Sequence, residues 1–430
     1  MRIFYSLLFF LLLPILLIRL TLKIKKSRQY QLYPQNGRWK ERLGWFPKLN
    51  LTQDPIWIHT VSVGEFMAAM PLINKFLEQH PDVPVLVTCT TLTGSDQILK
   101  SLGDQVSHVY LPWDCPFAVK RFYRQVRPRI GLIMETEIWP NLIHYGKKSN
   151  IPMVLLNARM SVKSARGYQK LSTFSANVLQ KFSAICVQNS EDAGRFKSLG
   201  AKQETLHITG SIKFDLTPDA KFKLKAEQFR NQLNWHNQQV LIAASTHESE
   251  DELVLGTYKR LRTEFPDLKL VVVPRHPERF EHVFQQCRKS GFAVLKRTQI
   301  DKSSHASIDI LLGDSMGEMM LYFDLGTVVI MGGTFMPNGG HNILEPAALG
   351  LPIFYGPSMF NFKIINELFL ERHAAVQLSD KNSLYDSLSD YLKYPQKLEL
   401  LGKNALEIMK ENAGAKDRMY QIILDSGVVK

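Results

Sequence analysis

Short apolar runs alternate with segments of helical periodicity along most of this chain. In the first half we predict six strands, at Ile56–Val61, Val83–Cys89, Val106–Leu111, Ile130–Met134, Met153–Leu156 and Ala184–Val187. Helices are expected after most of them, for example at Phe66–Gln79 and Phe117–Val126. Apolar strands that alternate with helices are typical of parallel βαβ units. The pattern therefore predicts an α/β domain with a parallel sheet.

The same alternation restarts after a polar stretch, from Lys213 to about Asn237, which we interpret as a linker with some helix. Six further strands are predicted at Val240–Ala244, Leu268–Val273, Phe292–Leu295, Asp309–Leu312, Thr327–Met331 and Pro352–Tyr355. We therefore expect two Rossmann-like, doubly wound domains, at 25–215 and 216–430. For two such domains we expect a cleft between them, in which ligands bind at the carboxyl ends of the strands. Several enzyme classes share this architecture, so the architecture alone does not identify the class of this enzyme.

The amino terminus carries an apolar run, Ile3–Ile18, whose one polar residue is Ser6. Sixteen helical residues span roughly 24 Å, less than the hydrocarbon core of a bilayer. A cleaved signal peptide is the alternative, but the run lacks a cleavage site of small residues. We predict an uncleaved anchor at 1–24, which either spans the membrane or lies in its interface. Basic residues follow the run, so the rest of the chain is expected in the cytoplasm: Lys23, Lys25, Lys26, Arg28, Arg38, Lys40 and Arg42.

Composition narrows the class of ligand. The 430 residues carry 45% hydrophobic and 22% charged side chains, which is normal for packed domains. The net charge of +13 favours nucleic acid, anionic lipid or phosphorylated substrates. Nucleic acid is a poor candidate because the basic residues are scattered without interleaved aromatics. Four widely separated cysteines make a disulfide framework or a zinc ribbon improbable: Cys89, Cys115, Cys186 and Cys287.

A glycine-rich segment follows the predicted strand that ends at Met331. It reads Gly-Gly-Thr at 332–334 and Gly-Gly-His-Asn-Ile-Leu-Glu at 339–345, before a short helix that Gly350 ends. Glycines let backbone N–H groups approach a phosphate, and a helix N-terminus favours an anion. Glu345 lies where a carboxylate can accept bonds from both ribose hydroxyls. The alternative is a plain turn in which Glu345 caps its own helix.

Two more segments follow predicted strands of the second domain. Pro274-Arg275-His276-Pro277-Glu278-Arg279 places an arginine at a strand end, where it can bind phosphate bidentately. Gly313-Asp314-Ser315-Met316-Gly317-Glu318 offers either amides for a base or phosphate, or an Asp/Ser cap of the next helix.

Acidic side chains follow strands of the first domain. Glu65, in Ser-Val-Gly-Glu, is either a general base or a helix-terminal glutamate stabilised by the helix dipole. Glu135 and Glu137 either bind sugar hydroxyls or are solvated loop carboxylates. Lys213, in Gly-Ser-Ile-Lys, either meets an anion or is a solvated linker residue. The histidines show no metal-ligand spacing and no Asp-x-Asp run is present, so we expect neither a metal nor another cofactor.

Taken together, these motifs resemble the Kdo (3-deoxy-D-manno-octulosonic acid) transferases of lipopolysaccharide inner-core biosynthesis. The resemblance covers nearly the whole chain and rests on segments that occur in the family's order. They are Arg42-Leu43-Gly44, Ser62–Glu65, Met134–Asn141, Asn157–Arg159, Gly210–Asp215, Ala244–Glu248, Pro274–Arg279, Gly313–Glu318 and Gly339–Glu345. One departure is Thr334, where the family would have Ser.

The resemblance implies a GT-B-like fold, a CMP-Kdo donor and the acceptor lipid IVA, a tetraacylated lipid A precursor of the inner membrane. It implies that Glu65 accepts the proton and that Glu135 and Lys213 stabilise the transition state. It also implies a CMP site formed by Pro274, Arg275, Met316, Gly317, Glu318, Asn342, Ile343, Leu344 and Glu345.

Two other functions fit the same architecture. A nucleotide-sugar 2-epimerase shares the fold but gives no reason for the apolar amino terminus. A membrane-bound nucleotide-sugar binding protein would bind CMP without turnover. The number of Kdo residues added, the acyl-chain selectivity and the oligomeric state do not follow from these motifs.

Overall fold

A computed structural model describes residues 1–26, 34–47, 49, 51–302 and 307–427 of the chain. The residues divide into two compact units, one formed by 1–215 and 412–430 and the other by 216–411. Each unit is built around a seven-stranded sheet. All strand pairs in both sheets are parallel, as the apolar pattern predicts.

The first unit contains strands β1–β7 and helices α1–α8, together with α17 from the end of the chain. The strands are β1 Ile56–His59, β2 Val85–Cys89, β3 Ser107–Tyr110, β4 Ile130–Met134, β5 Met153–Ala158, β6 Ala184–Val187 and β7 Leu206–Ile208. The helices are α1 Arg2–Lys26, α2 Val63–Gln79, α3 Leu92–Leu102, α4 Pro116–Val126, α5 Pro140–Lys148, α6 Val162–Gln169, α7 Ser172–Leu179 and α8 Ser190–Ser198. The sheet order is β3-β2-β1-β4-β5-β6-β7.

The second unit repeats this arrangement. Its strands are β8 Val240–Thr246, β9 Lys269–Pro274, β10 Val294–Lys296, β11 Ile310–Leu312, β12 Val328–Met331, β13 Ile353–Tyr355 and β14 Val376–Gln377. Its helices are α9 Ala220–Gln232, α10 Glu250–Glu264, α11 Phe280–Lys289, α12 Met319–Leu325, α13 Leu344–Ala348, α14 Lys363–Glu371, α15 Ser383–Lys393 and α16 Pro395–Asn412. The sheet order is β10-β11-β9-β8-β12-β13-β14.

The end of the chain departs from the sequence prediction, which placed residues 412–430 in the second domain. Helix α17, Ala415–Asp425, packs instead on the core of the first unit, in the same apolar cluster as residues of α2. Met419, Tyr420 and Ile423 lie four, five and eight residues after Ala415, so these four buried side chains share one face. His80 and Tyr420 join α2 to α17 with a 2.8 Å hydrogen bond.

The predicted linker contains the helix that was expected within it, although this helix belongs to the second unit. Its middle forms α9, which buries Ala226 and Phe229 in the second unit. Two strands, β7 and β14, were not predicted; both are short, lie at the edge of their sheets and are not buried, so they lack the continuous apolar run of a central strand.

Helix α1 is longer than the apolar run that predicts it. Arg2–Leu22 is long and apolar enough to cross a membrane and is not buried in the protein. At 1.5 Å per residue this stretch covers about 32 Å. The first turns lie against the first unit, where Arg2 and Ser6 bond to the Asn141 side chain over 3.1 Å.

Candidate functional site

Each sheet reverses its strand order at one point, between β1 and β4 in the first unit and between β8 and β12 in the second. In open parallel sheets, ligands bind outside the carboxyl ends of the strands at such a point. Glu65 follows β1 and Glu135 follows β4, while His247 follows β8 and Gly333 follows β12. The two reversal points therefore mark two groups of polar residues, one in each unit.

Glu135 is the centre of the group in the first unit. It is buried and directly follows β4, with a backbone φ of +55°, in the left-handed region that a glutamate rarely adopts. One carboxylate oxygen accepts from the Arg159 guanidinium at 2.9 Å, and the other lies 3.3 Å from Lys213 Nζ. The strained backbone thus holds a buried carboxylate between two cations.

Glu65 lies in the first turn of α2, where its carboxylate accepts a 2.7 Å hydrogen bond from the Val61 backbone N–H. Burial raises the pKa of Glu65 to about 7, although the bond from Val61 opposes this effect. The negative charges of Glu135 and Glu137 raise the pKa further. A carboxyl group with a pKa near neutrality is suited to accept a proton at physiological pH.

Glu137 completes the carboxylate group. Its side chain accepts a 2.7 Å hydrogen bond from Trp139 Nε1. Burial raises the pKa of Glu137, and the charge of Glu135 adds to this effect. The structure thus brings Glu65, Glu135 and Lys213 into one electrostatic group and adds Arg159, a residue that the sequence analysis did not propose for the site. Its position after β5, next to β4, is the signal that could have identified it.

In the second unit, the two arginines of the Pro-Arg-His-Pro-Glu-Arg segment differ. Arg279 is held in place, because its guanidinium donates to the Thr246 carbonyl and forms an ion pair with Asp251. Arg275 follows β9 and its side chain is exposed. Within the described ranges, no hydrogen bond or ion pair joins the Arg275 guanidinium to another residue. Arg275 is therefore the arginine that can bind an anion.

Glu345 lies close to this arginine. Its carboxylate accepts a 3.0 Å hydrogen bond from Asn342 Nδ2, while the side-chain oxygen Oδ1 of Asn342 accepts from Leu344 N–H. Burial raises the pKa of Glu345, and the bond from Asn342 and the charge of Arg275 oppose that rise. Asn342 therefore holds the first turn of α13, and Glu345 does not cap it. Ile343 and Leu344 are buried, which leaves only their backbone for a ligand.

Two histidines that the sequence analysis did not propose lie beside Arg275. The rings of His247 and His341 are stacked with centroids 5.1 Å apart, and their Nε2 atoms are 2.9 Å apart. Burial lowers the pKa of His341 to about 4, and the charge of Arg275 lowers it further. Burial also lowers the pKa of His247. Neutral imidazoles beside an unpaired arginine can donate or accept hydrogen bonds around a phosphate.

The first glycine pair does not leave its amides free, contrary to the expectation that they approach a phosphate. The buried Glu250 carboxylate accepts hydrogen bonds of 2.7–3.0 Å from the N–H groups of Gly333, Thr334 and Phe335, and one of 2.9 Å from His247 N–H. Gly333 has a φ of +68°, which a residue with a side chain rarely adopts. Glu250 thus fixes the loop that carries the glycines.

Thr334 uses its hydroxyl inside this loop. It donates to the Met331 carbonyl at 2.6 Å and accepts from Gly356 N–H at 2.9 Å. A serine hydroxyl would serve equally, so the departure from the family pattern keeps its function.

For the Gly-Asp-Ser-Met-Gly-Glu segment, the expected cap of the next helix is wrong, while the contact of its amides with a ligand stays a prediction. Asp314 and Ser315 do not cap α12, which begins after Glu318, and Asp314 binds Thr298 instead. Burial would raise the pKa of Glu318, but hydrogen bonds from Arg297 and Lys225 outweigh it and lower the pKa to about 2. Met316 is exposed and Gly317 has a φ of +79°, so the tip of this loop remains accessible.

Across the described residues, no three His, Cys, Asp or Glu side chains are arranged to hold a metal ion. Each unit thus carries its own candidate group of residues: the carboxylate group in the first unit, and Arg275, Glu345 and two histidines in the second.

Comparison with known proteins gives a consistent set of relatives. The family model described as 3-deoxy-D-manno-octulosonic-acid transferase matches residues 37–216. A 3-deoxy-D-manno-octulosonic acid transferase of Haemophilus influenzae is 35% identical over 98% of this chain and 98% of its own length. The Bordetella pertussis transferase of that name is 34% identical over 86% of this chain and 87% of its own.

A likeness in fold extends to another class of enzyme. The crystal structure of a UDP-GlcNAc 2-epimerase from Neisseria meningitidis, bound to UDP-GlcNAc, matches with a TM-score of 0.57. It covers 87% of this chain and 100% of the epimerase, with 12% sequence identity. At this identity the likeness concerns the fold alone.

Proposed function

This chain belongs to the 3-deoxy-D-manno-octulosonic acid (Kdo) transferase family, and on that premise we propose that it transfers Kdo from CMP-Kdo to lipid IVA. The observation that carries this proposal is the carboxylate group at the reversal point of the first sheet, where burial raises the pKa of Glu65 to about 7. A general base is needed to take the proton of an acceptor hydroxyl.

The second unit binds the donor. Arg275, whose guanidinium is exposed, contacts the phosphate of CMP, and the half-buried Glu345 carboxylate accepts hydrogen bonds from the ribose hydroxyls. Met316, Gly317 and Glu318 contact the nucleotide from the neighbouring loop, and Pro274 and Asn342 hold Arg275 and Glu345 in place. The leaving group is one phosphate diester, whose charge cationic side chains can stabilise without a metal.

The first unit activates the acceptor. Glu65 takes the proton of a glucosamine hydroxyl, whose oxygen attacks the anomeric carbon of Kdo. The bond from that carbon to the phosphate oxygen breaks, CMP leaves with the electron pair, and the anomeric configuration inverts. Glu135 stays between Arg159 and Lys213, as the distances of 2.9 and 3.3 Å indicate. Lys213, with Arg159, stabilises the negative charge that develops in the transition state.

Helix α1 keeps the enzyme at the inner membrane, with both units on the cytoplasmic side. This placement is supported by the apolar stretch Arg2–Leu22 and by the basic residues that follow it, which favour the anionic cytoplasmic leaflet. Because Arg2 and Ser6 bond to Asn141 in the first unit, the amino terminus stays on the side of that unit. Helix α1 therefore lies in the membrane interface, and its amino terminus does not cross the bilayer.

The transfer is tested with the purified full-length protein, CMP-Kdo and lipid IVA. Mass spectrometry of the lipid should show discrete mass steps, one for each Kdo added. Epimerisation of a free nucleotide sugar without any lipid would favour the 2-epimerase class. Stoichiometric CMP binding without turnover would favour a binding protein.

The anchor is tested by deleting Met1–Leu22. We expect much of the truncated protein to leave the membrane while both units stay folded, with some binding left through the basic residues that remain. A truncated protein that is insoluble and unfolded would contradict this assignment of α1.

A further inference from the structure

The first unit contains a cavity of about 470 Å³ that is separate from its carboxylate group. Its wall is formed by the start of α1, the loop before α5, and helices α6 and α7. The lining is mainly apolar and includes Tyr5, Trp139, Tyr168, Phe174, Val178 and Leu179. This volume is roughly three times that of a ~150 Å³ apolar cavity that binds benzene.

The polar atoms of the lining are largely occupied by the protein itself. Trp139 Nε1 donates to Glu137, and the Tyr5 hydroxyl is hydrogen-bonded to Asp114. Ser175 Oγ donates to the Tyr168 carbonyl at 2.8 Å. What these residues offer to the cavity is therefore ring and aliphatic surface. A hydrocarbon gains about 0.8 kcal/mol for each methylene that it removes from water.

The surroundings of the cavity suit a lipid. The Tyr5 ring lies beside that of Phe174, with centroids 6.1 Å apart, while the residues around Tyr5 on α1 expose large apolar side chains. On the other wall, α6 exposes two basic residues, Lys163 and Arg166, and a third exposed basic residue, Lys170, directly follows the helix. Exposed apolar surface beside basic residues is what an anionic, membrane-embedded lipid requires of a binding surface.

Trp139 connects the cavity to the carboxylate group. The residue lines the cavity, and its indole N–H holds Glu137. Glu137 in turn lies close enough to Glu65 for its charge to act on that carboxyl group. Trp139 and Glu137 therefore link the cavity to Glu65.

We propose that this cavity binds one acyl chain of the lipid acceptor and that the basic residues of α6 contact the acceptor's phosphates. The inference rests on the proposed function and deepens it, because it assigns the chain a binding site of its own. The cavity then positions the acceptor hydroxyl by holding the chain, and it selects acceptors by chain length.

Gly167 offers a direct test, because it lines the cavity and a Cβ added there meets no atom within 4 Å. Gly167→Phe should obstruct the cavity, whereas Gly167→Ala should not. Gly194→Phe is the matched control, since Gly194 is also a helical glycine with open space around it but does not line the cavity. Melting temperatures verify that all three variants are folded.

Kinetics with two acceptors give the first readout. Expelling about three methylenes should raise the KM for lipid IVA on the order of tenfold to a hundredfold in Gly167→Phe. The KM for a deacylated, bis-phosphorylated glucosamine disaccharide should not change. An equal loss with both acceptors, or an unchanged KM for lipid IVA, would overturn the inference.

A binding experiment keeps the inference testable even if the protein does not transfer Kdo. Lipid IVA with a photoreactive diazirine at the end of one acyl chain is irradiated with the full-length protein in detergent, without donor. Crosslinks should map to Tyr5 and to α7, and Gly167→Phe should remove them. Crosslinks confined to the outer face of α1 would contradict the inference. So would equal labelling of the cavity by a diazirine phosphatidylglycerol, which would identify a bulk phospholipid as the occupant.

Discussion

The two units place opposite chemistry at the same point of the same architecture. At the reversal point of the first sheet, burial and neighbouring carboxylates raise the pKa of Glu65 to about 7. At that of the second sheet, burial and Arg275 lower the pKa of His341 to about 4. One site thus favours a carboxyl group that can take up a proton, and the other keeps imidazoles neutral beside a cation. The fold sets where a site forms, and the side chains that follow the strands decide what it does.

A second difference lies in how each unit holds its loop. In the first, Glu135 is itself a candidate reacting group and is fixed by Arg159 and Lys213. In the second, Glu250 accepts four backbone N–H groups and so has no capacity left for a ligand. A buried carboxylate at a reversal point is therefore held by cationic side chains in one unit and by backbone N–H groups in the other.

The largest expected effect is that of Glu65→Gln, which keeps the shape and can still accept from Val61 N–H. General-base catalysis contributes roughly 10²–10⁴-fold, so turnover should fall by that factor. Calorimetry should show unchanged CMP affinity, because the variant lies in the first unit. Glu191→Gln, in the first turn of α8, is the control and should keep full turnover. A normal rate for Glu65→Gln would leave Glu135 and Glu137 as the next candidates for the base.

The counterpart in the second unit is Arg275→Ala or Glu345→Ala. Each removes a charge-assisted hydrogen bond to CMP and should weaken CMP binding by roughly 1.5–3 kcal/mol. Arg372→Ala removes an exposed ion pair with Glu411 and serves as the control. Unchanged CMP affinity in both variants would remove these residues from the nucleotide site.

A smaller effect should appear in the pH dependence of turnover by the wild-type enzyme. Because the pKa of Glu65 is about 7, the ionised fraction falls below that pH. With saturating substrates, turnover at pH 6 should be about one tenth of its plateau value above pH 8. The residual activity of Glu65→Gln should lack this acid limb. A wild-type limb centred near pH 4.5 would show that the site does not perturb this carboxyl group.

Most strands could be predicted from the sequence because a buried parallel strand is a continuous apolar run, as in Val328–Met331. Candidate residues at strand ends, such as Glu65 and Glu135, follow from the same pattern. Their proximity does not, because it depends on β1 and β4 pairing across about 70 residues of chain. Glu250 and the return of α17 to the first unit were also beyond prediction, since both depend on tertiary contacts alone.

The smallest expected effect is on the free energy of unfolding. Its dependence on pH should have opposite signs for Glu65 in the first unit and Glu318 in the second. The pKa of Glu65 is raised in the folded protein, so protonated Glu65 contributes stability that is complete below about pH 4.5 and is lost as the pH rises through about 7. Glu318 is the opposite case, because its pKa is lowered to about 2. Its contribution is present above about pH 4.5 and is lost as the pH falls through about 2.

Replacing each residue with Gln should therefore change the melting temperature in opposite directions. Relative to wild type, Glu65→Gln should gain stability as the pH increases from 5 to 8, because the wild type bears a half-buried charge at the higher pH and the variant does not. Glu318→Gln should melt below wild type across that range, since Arg297 and Lys225 lose their anionic partner. Calorimetric scans of both variants at pH 5 and pH 8 measure this. If Glu65 only stabilises the dipole of α2, its pKa is lowered and Glu65→Gln loses stability at pH 8, the reverse of the expected sign.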